Sequence, residues 1–200
     1  MKSALDTGAR ILHLTGITCA LGQRPLDTVR EAAERAAQAG WTVALDVNHR
    51  SRLWDATAAA AALQPLLPLV DILIASDDEL PLVGGGAGAS TAEQVARVLA
   101  CGVGEVLVKR GAEGADLYLG SAAPLHAPAH SVPVADTVGA GDAFCAGYLS
   151  ALLDGLPPEQ RLQRATRTAA FAVACAGDWE GLPHRDEIAL LDVAPGGAVR

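Results

Sequence analysis

The 200-residue sequence is poor in aromatic residues, with three tryptophans, two tyrosines and two phenylalanines, 4% of the chain. That argues against a core built on large rings, yet half of the residues are hydrophobic, enough to bury a sizeable interior. Alanine is the commonest residue and glycine is frequent, with 21 residues, which favours close packing of helices on a sheet. Positive charge is also scarce: 15 Lys and Arg face 23 Asp and Glu, for a formal net charge of −8. Phosphate backbones select clustered Lys and Arg, and no basic run occurs, so nucleic acid is not an expected partner. An anionic substrate must then be held by a few local groups. The four cysteines, Cys19, Cys101, Cys145 and Cys175, form no CxxC pair. They read as buried thiols in a reducing cytosol rather than a disulfide framework. No apolar run approaches the length of a membrane span, and Met1–Arg10 has no apolar signal core. The expectation is a soluble, cytoplasmic protein with no membrane partner.

Two common chemistries lack their motifs. There is no GxxxxGK[ST] and no GxSxG, so neither a P-loop nucleotidase nor an α/β-hydrolase is supported. Gly84–Ala89 (GGGAGA) formally fits a dinucleotide fingerprint. It does not open a helix directly after a strand, and no matched acidic residue follows in the fingerprint's context. A flexible loop is the expectation there. His126 and His130 flank Pro128 in an expected loop, with no third ligand for a metal.

What is present is an alternation of short apolar runs with helical patterns. Strands are expected at Ile11–Leu14, Trp41–Leu45, Asp71–Ala75, Val106–Lys109 and Ala115–Leu119. Helices are expected over Leu26–Ala39, Ala56–Leu66, Thr91–Cys101 and Ala143–Leu153. Ser90 and Glu93 have capping-box spacing ahead of the third helix. Such alternation implies βαβ units and a mostly parallel sheet, that is, an α/β fold. Ligands bind such sheets beyond the C-terminal strand ends. The residues to inspect are therefore Thr15–Gly16, Asp46–Arg50, Ser76–Glu79, Lys109–Gly114 and Asp136–Asp142. No repeat and no long linker divides the chain, so 1–200 reads as one domain.

The segment Asp136-Thr137-Val138-Gly139-Ala140-Gly141-Asp142 precedes the last of these helices. Small residues at Gly139, Ala140 and Gly141 let backbone approach a ligand. The free N–H groups and dipole of the helix start then form an anion hole. Asp142, at its edge, could take a proton from an attacking hydroxyl. A plain helix N-terminus with an acidic first turn is the alternative reading of a bare GAGD.

DTVGAGDAFCAGYL, residues 136–149, resembles the C-terminal signature of the PfkB carbohydrate kinases, a ribokinase-like family. That resemblance implies a three-layer α/β/α fold with a mostly parallel sheet. It further implies ATP-dependent transfer of a phosphoryl group to a sugar hydroxyl, with Asp142 as catalytic base and substrate contact, and Gly139–Gly141 as anion hole. Lys109-Arg110-Gly111-Ala112-Glu113-Gly114 resembles the family's KxGxxG turn, which places Lys109, Gly111 and Gly114 near the nucleotide phosphates; a common hairpin is the alternative. Ser76-Asp77-Asp78-Glu79 resembles NxxE with serine in place of asparagine. That puts Ser76 near ATP and Glu79 on Mg2+ through water, with an acidic surface turn as the alternative. Asp46–Trp54 resembles the DxNxRxxLW stretch of 2-keto-3-deoxygluconate kinases and their fructokinase-like relatives. It implies Asn48 near the nucleotide and Arg50 as a fork for a carboxylate or phosphate, or else a structural ion pair. Gly177-Asp178 with Gly181-Leu182-Pro183 resembles the same branch and makes Asp178 a sugar contact. Thr166 falls where the family has an asparagine near the adenine.

The resemblance runs from about Leu12 to Leu191 and implies that family elements preceding Ile11 are missing. Those are the first strands of the sheet, the β-lid, and residues gripping sugar hydroxyls. Lys2–Arg10 resembles the helix leading into the next strand. The expectation is a partial kinase domain with an exposed apolar sheet edge. The implied cofactors are ATP and Mg2+, with a monovalent cation as a further candidate. A small sugar or sugar acid is the implied partner, and the longer form could be a homodimer. The favoured substrate is 2-keto-3-deoxygluconate, because Arg50 suits its carboxylate, with fructose or another sugar of the family as the alternative. Two other readings stand beside the kinase: a non-catalytic nucleotide-binding remnant, and a fragment completed by a separate chain.

Overall fold

A computed structural model describes residues 8–86 and 88–192. The chain forms two compact units: residues up to Lys109 with Leu117–Pro124, and Arg110–Asp116 with the residues from Leu125 onward. Most of the stretch resembling a leading helix, Lys2–Arg10, lies outside the described residues.

The first unit contains β1 (Ile11–Thr15), α1 (Gly16–Ala20), α2 (Gln23–Gln38), β2 (Thr42–Asp46), α3 (Ala56–Leu63), β3 (Ile72–Ser76), α4 (Leu80–Val83), α5 (Thr91–Ala100) and β4 (Glu105–Lys109). Adjacent strands pair in parallel, with Thr15 opposite Asp46, Asp46 opposite Ile74, and Ser76 opposite Lys109. With β5 (Ala115–Leu119) and β6 (Leu125–Ala127) the sheet has six strands in sequence order. The central runs Val43–Leu45, Ile72–Ala75 and Val106–Val108 are buried throughout. Continuous rather than alternating burial is what a parallel sheet covered on both faces imposes. On α2 the buried residues Val29, Ala33 and Ala36 recur at helical spacing and form its core stripe.

Local chemistry explains where these elements stop. The Asp55 side chain accepts from the Ala58 N–H at 2.8 Å and starts α3. The expected run to Leu66 is cut at Leu63, and Gln64–Leu69 tightens into a 3₁₀ turn. Pro65 and Pro68 lack the N–H that an α-helix would need there. The capping box at α5 is formed: the Glu93 N–H donates to Ser90 Oγ at 3.3 Å, and the Ser90 N–H donates to Glu93 Oε2 at 2.7 Å. Hydrogen bonds reach the described residues of the glycine-rich segment before it. Arg97 donates to the Gly84 and Gly85 carbonyls, and Gln94 to those of Gly86 and Ala89. Cysteine burial also departs from expectation. Cys19 and Cys145 are buried, but Cys175 is half-buried, and Cys101, at the end of α5, is exposed.

The second unit holds β6, α6 (Ala140–Leu153) and α7 (Pro158–Val173). His126 lies on β6 rather than in a loop. The helix α6 starts at Ala140, three residues before the expected start, and so takes Asp142 into its first turn. The two helices pack closely because Gly147 leaves room: a β-carbon there would stand 2.9 Å from Ala165 Cα. Arg161, buried on α7, places its guanidinium 5.3 Å from the centre of the Tyr148 ring. No helix among the described residues is long and apolar enough to cross a membrane.

Replacing Ser90 with alanine removes one half of the capping box. The expected loss is about 1 kcal/mol of unfolding free energy, measured by urea denaturation. An unchanged midpoint would show that the box is not a determinant of stability.

Candidate active site

The parallel strands of the first unit place Asp46, Ser76 and Lys109 at the C-terminal ends of β2, β3 and β4, with Ser76 opposite Lys109 and Asp46 opposite Ile74. Lys109 Nζ lies 3.0 Å from Asp46 Oδ1 and 3.9 Å from Glu79 Oε2, so one ammonium serves two carboxylates. Glu79 has further donors: its Oε1 accepts the His49 N–H at 2.8 Å, and its Oε2 accepts the Ser76 N–H at 2.8 Å. The carboxylate thus staples the loop after β2 to the loop after β3. Ser76 donates through its hydroxyl to Asp78. Asn48 is buried at φ 38°, a conformation asparagine tolerates better than most residues. His49 Nε2 lies 3.2 Å from the Trp54 carbonyl, which closes the loop around the exposed Arg50.

Asp46 is 1% exposed, and its Oδ2 has no hydrogen-bond partner among the described residues. Burial pushes its carboxyl above the ordinary range, while the neighbouring Lys109 ammonium opposes that without cancelling it. The cluster offers oxygen donors only, and no three His, Cys, Asp or Glu among the described residues form a metal cage. Each Glu79 oxygen accepts one N–H and keeps a lone pair for water. This donor set fits Mg2+, which retains waters and shares its shell with phosphate oxygens.

The second unit contains the predicted anion hole and base. Gly139 caps α6 at φ 75°, a left-handed conformation that favours glycine. A β-carbon at this position would lie 2.2 Å from the Asp178 carbonyl oxygen, so Gly139 and Asp178 touch through backbone. Asp136 locks the approach by accepting the Val138 N–H at 3.0 Å. Hydrogen bonds from the backbone of Val138, and then of Gly177 and Thr137, hold its carboxyl below the usual carboxylate range. The first intrahelical bond runs from the Ala143 N–H to the Gly139 carbonyl at 2.8 Å. The N–H groups before it belong to the turn whose donors have no helical acceptor. Asp142 is exposed beside them, and Asp178 is exposed as well. Thr166 is buried on α7 and donates its hydroxyl to the Gln163 carbonyl at 3.0 Å.

In the glycine turn, Gly111 has φ 55°, and Gly114 has φ 101° and backs onto the Ala127 carbonyl, 2.1 Å from where a β-carbon would sit. Asp116 follows, accepting from Arg110 Nε at 2.6 Å and pairing with His126 Nδ1 at 2.7 Å. The sequence reading missed this trio, and it missed the Lys109–Asp46 pair. Neither has a motif, because each joins residues on different elements. The sequence-predicted residues therefore fall into two groups. Asn48, Arg50, Ser76, Glu79 and Lys109 belong to the first unit, and Gly111, Gly114, Gly139–Asp142, Thr166 and Asp178 to the second.

Residues 5–185 match the pfkB family of carbohydrate kinases. The chain belongs to that family. A 2-dehydro-3-deoxygluconokinase from Bacillus subtilis is 34% identical to this PfkB-family chain over 180 residues, covering 89% of it and 55% of the relative. A 2-dehydro-3-deoxygalactonokinase from Haloferax volcanii is 33% identical over 172 residues, covering 85% and 53%. The chain thus spans about half the length of the curated relatives it matches. Among solved structures, an E. coli protein assigned as a ribokinase II and solved with ATP and Mg2+ superposes with a TM-score of 0.83 at 28% identity, covering 92% of this chain and 58% of its own. An aminoimidazole riboside kinase from Salmonella enterica, complexed with aminoimidazole riboside and an ATP analogue, superposes at 0.78 and 28% identity, covering 90% and 62%. These neighbours establish the ribokinase-like α/β fold of the PfkB-family chain.

Two measurements check the geometry. Gly139→Ala is expected to destabilise the chain by about 2 kcal/mol or more, read by urea denaturation, because it combines left-handed strain with a backbone clash. Asp136 has a lowered carboxyl pKa in the folded chain, so its contribution is present above the ordinary value of 3.8 and is lost as pH falls through the lowered one. The Val138 amide resonance should therefore titrate with a midpoint below 3.8. A midpoint at or above that value would mean that the turn is not closed by the carboxylate.

Proposed function

We propose that this chain carries the ATP-binding and catalytic elements of a sugar kinase that phosphorylates a sugar acid of the 2-keto-3-deoxygluconate type. The observation that carries the reading is the start of α6, where a left-handed Gly139 turns the chain into a helix with an exposed Asp142 in its first turn. Backbone N–H groups there can hold the oxygens of a phosphoryl group, and the carboxylate stands beside them. In the proposed reaction Asp142 accepts the proton of a primary sugar hydroxyl. That oxygen bonds to the γ-phosphorus as the bond to the β-phosphate oxygen breaks, and ADP leaves. Mg2+, when bound, supplies charge compensation on the phosphates, and Glu79 would hold it through water.

The remaining candidates take supporting roles. Asn48, Ser76, Lys109, Gly111, Gly114 and Thr166 are proposed to border the nucleotide. Lys109 does so while neutralising Asp46 and Glu79, which makes it a positioning group for the loops around it. Arg50 is exposed at the mouth of β2 and suits a substrate carboxylate, and Asp178 suits a sugar hydroxyl. The names of the Bacillus and Haloferax relatives, which act on 2-dehydro-3-deoxy sugar acids, support that substrate class.

Two variants separate these roles. Asp142→Asn should lower phosphoryl transfer by about 10²–10⁴-fold while leaving ATP affinity unchanged by calorimetry. Retained transfer would refute the assigned base. Arg50→Gln should raise KM for a keto-deoxy sugar acid about tenfold or more and leave a neutral sugar such as fructose unaffected. Both assays apply to the 200-residue chain and to a form extended by any in-frame upstream coding sequence. Transfer in neither form would leave nucleotide binding as the activity to be explained.

A further inference from the structure

The second unit contains a cavity of about 340 Å³ that the kinase reading does not use. It lies between α7 and the segment around Arg185–Ala189, and Gln160, Gln163, Arg164 and Arg167 line it from the helix. Those four positions follow the i, i+3, i+4, i+7 spacing of one helix face. The opposite face of α7 carries Leu162, Ala165 and Thr166, all buried. Three arginines of a chain with only 15 Lys and Arg thus border one hollow. Among the described residues that line it, none is acidic.

Two of these arginines are fixed in advance. Asp154, the C-cap of α6, accepts from Arg164 Nη1 at 2.6 Å and from Arg185 Nη1 through its other oxygen. Hydrogen bonds from Arg164 and then Arg185 keep that carboxyl below its usual range, so it stays ionised as an anchor. Each guanidinium has five N–H donors, and this anchor takes one from each. Leu156, Ile188 and Ala189 add an apolar wall. Planar donors, amide groups and an apolar wall in a hollow of this size are the features of a site for a small organic anion.

We infer that this cavity binds a small phosphorylated metabolite, at a site separate in sequence and structure from the Gly139–Asp142 anion hole. A phosphate offers the oxygen geometry that two anchored guanidiniums read, and the volume admits a phosphorylated sugar rather than a bare ion alone. The natural consequence for a kinase is regulation by a phosphorylated product or downstream compound, a role that leaves the transfer chemistry untouched.

The test is titration of the intact 20.4 kDa chain with ribose 5-phosphate, and separately with ribose and inorganic phosphate, followed by amide resonances. Ribose 5-phosphate should saturate shifts at Gln160, Gln163, Arg164 and Arg185 with an affinity at least tenfold above that of ribose. Gln163→Glu places a carboxylate at an exposed helix position, and Arg185→Gln removes an exposed guanidinium. Each should weaken the affinity about tenfold or more without unfolding the chain, whereas Asp142→Asn should not change it. Equal binding of inorganic phosphate would reduce the site to a simple anion site and overturn the metabolite assignment. Shifts confined to Gly139–Asp142, or binding unaffected by both cavity variants, would overturn the site itself.

Discussion

The Glu79 carboxylate joins the ends of two strands that would otherwise finish in independent loops. It takes an N–H from His49, beyond β2, and another from Ser76, at the end of β3, while Lys109 at the end of β4 faces it. A carboxylate this buried is tolerated only where donors replace its water. The same ammonium also meets Asp46, which is the more deeply buried of the two acids. Loss of the ammonium would leave two neighbouring buried acids without their shared counter-charge, which is the costly way to break such a pair. The loops bearing Asn48, Arg50 and Ser76 therefore hold their conformation through one shared charge network. Parallel pairing makes this possible, since it brings the C-terminal ends of β2, β3 and β4, which carry Asp46, Ser76 and Lys109, to the same edge of the sheet.

The second unit solves its positioning problem with steric fit instead. Gly139 admits the Asp178 carbonyl, Gly114 admits the Ala127 carbonyl, and Gly147 admits α7. Each contact brings backbone where a β-carbon would collide. This gives a physical sense to the scarcity of aromatics. A chain that places backbone against backbone needs small residues at the contacts, and alanine and glycine supply them. Tyr148 is the large exception, fully buried beneath the Arg161 guanidinium.

Much of this was legible in the sequence wherever the information is local. The fully apolar strand runs, the Ser90–Glu93 box and the glycine turn into α6 each specify their own structure within a few residues. The helix α7 was overlooked, although Pro157-Pro158-Glu159 is a helix-start signal, with proline at the first position. Its buried face mixes Arg161, Ala165, Thr166 and Thr168 with a single leucine, Leu162, so no run of large apolar side chains marks it. The strand β6 is three residues long, too short to show any period. Of the candidate site, the motifs named Glu79 and Gly139 but not what they touch. Glu79 meets His49 across 30 positions, and Gly139 meets Asp178 across a longer interval still. Non-local contacts of this kind follow from the sheet order and helix packing, which no window of sequence contains.

The two ways of holding charge bear on how an acidic chain can handle phosphate. With a formal charge of −8, the protein could have gathered arginines at the start of α6. A cationic clamp next to a catalytic carboxylate would stabilise its ionised form and make it a poorer proton acceptor. Backbone N–H groups and a helix dipole hold phosphoryl oxygens with partial charges only, so they conflict less with a base beside them. Within the second unit, guanidiniums are concentrated at the far end of α6, where Asp154 anchors Arg164 and Arg185. There a full positive charge competes with no base. On the proposed reading, an anion hole of backbone N–H groups at one end of α6 and a cluster of anchored guanidiniums at the other keep full positive charge away from the carboxylate assigned as the base.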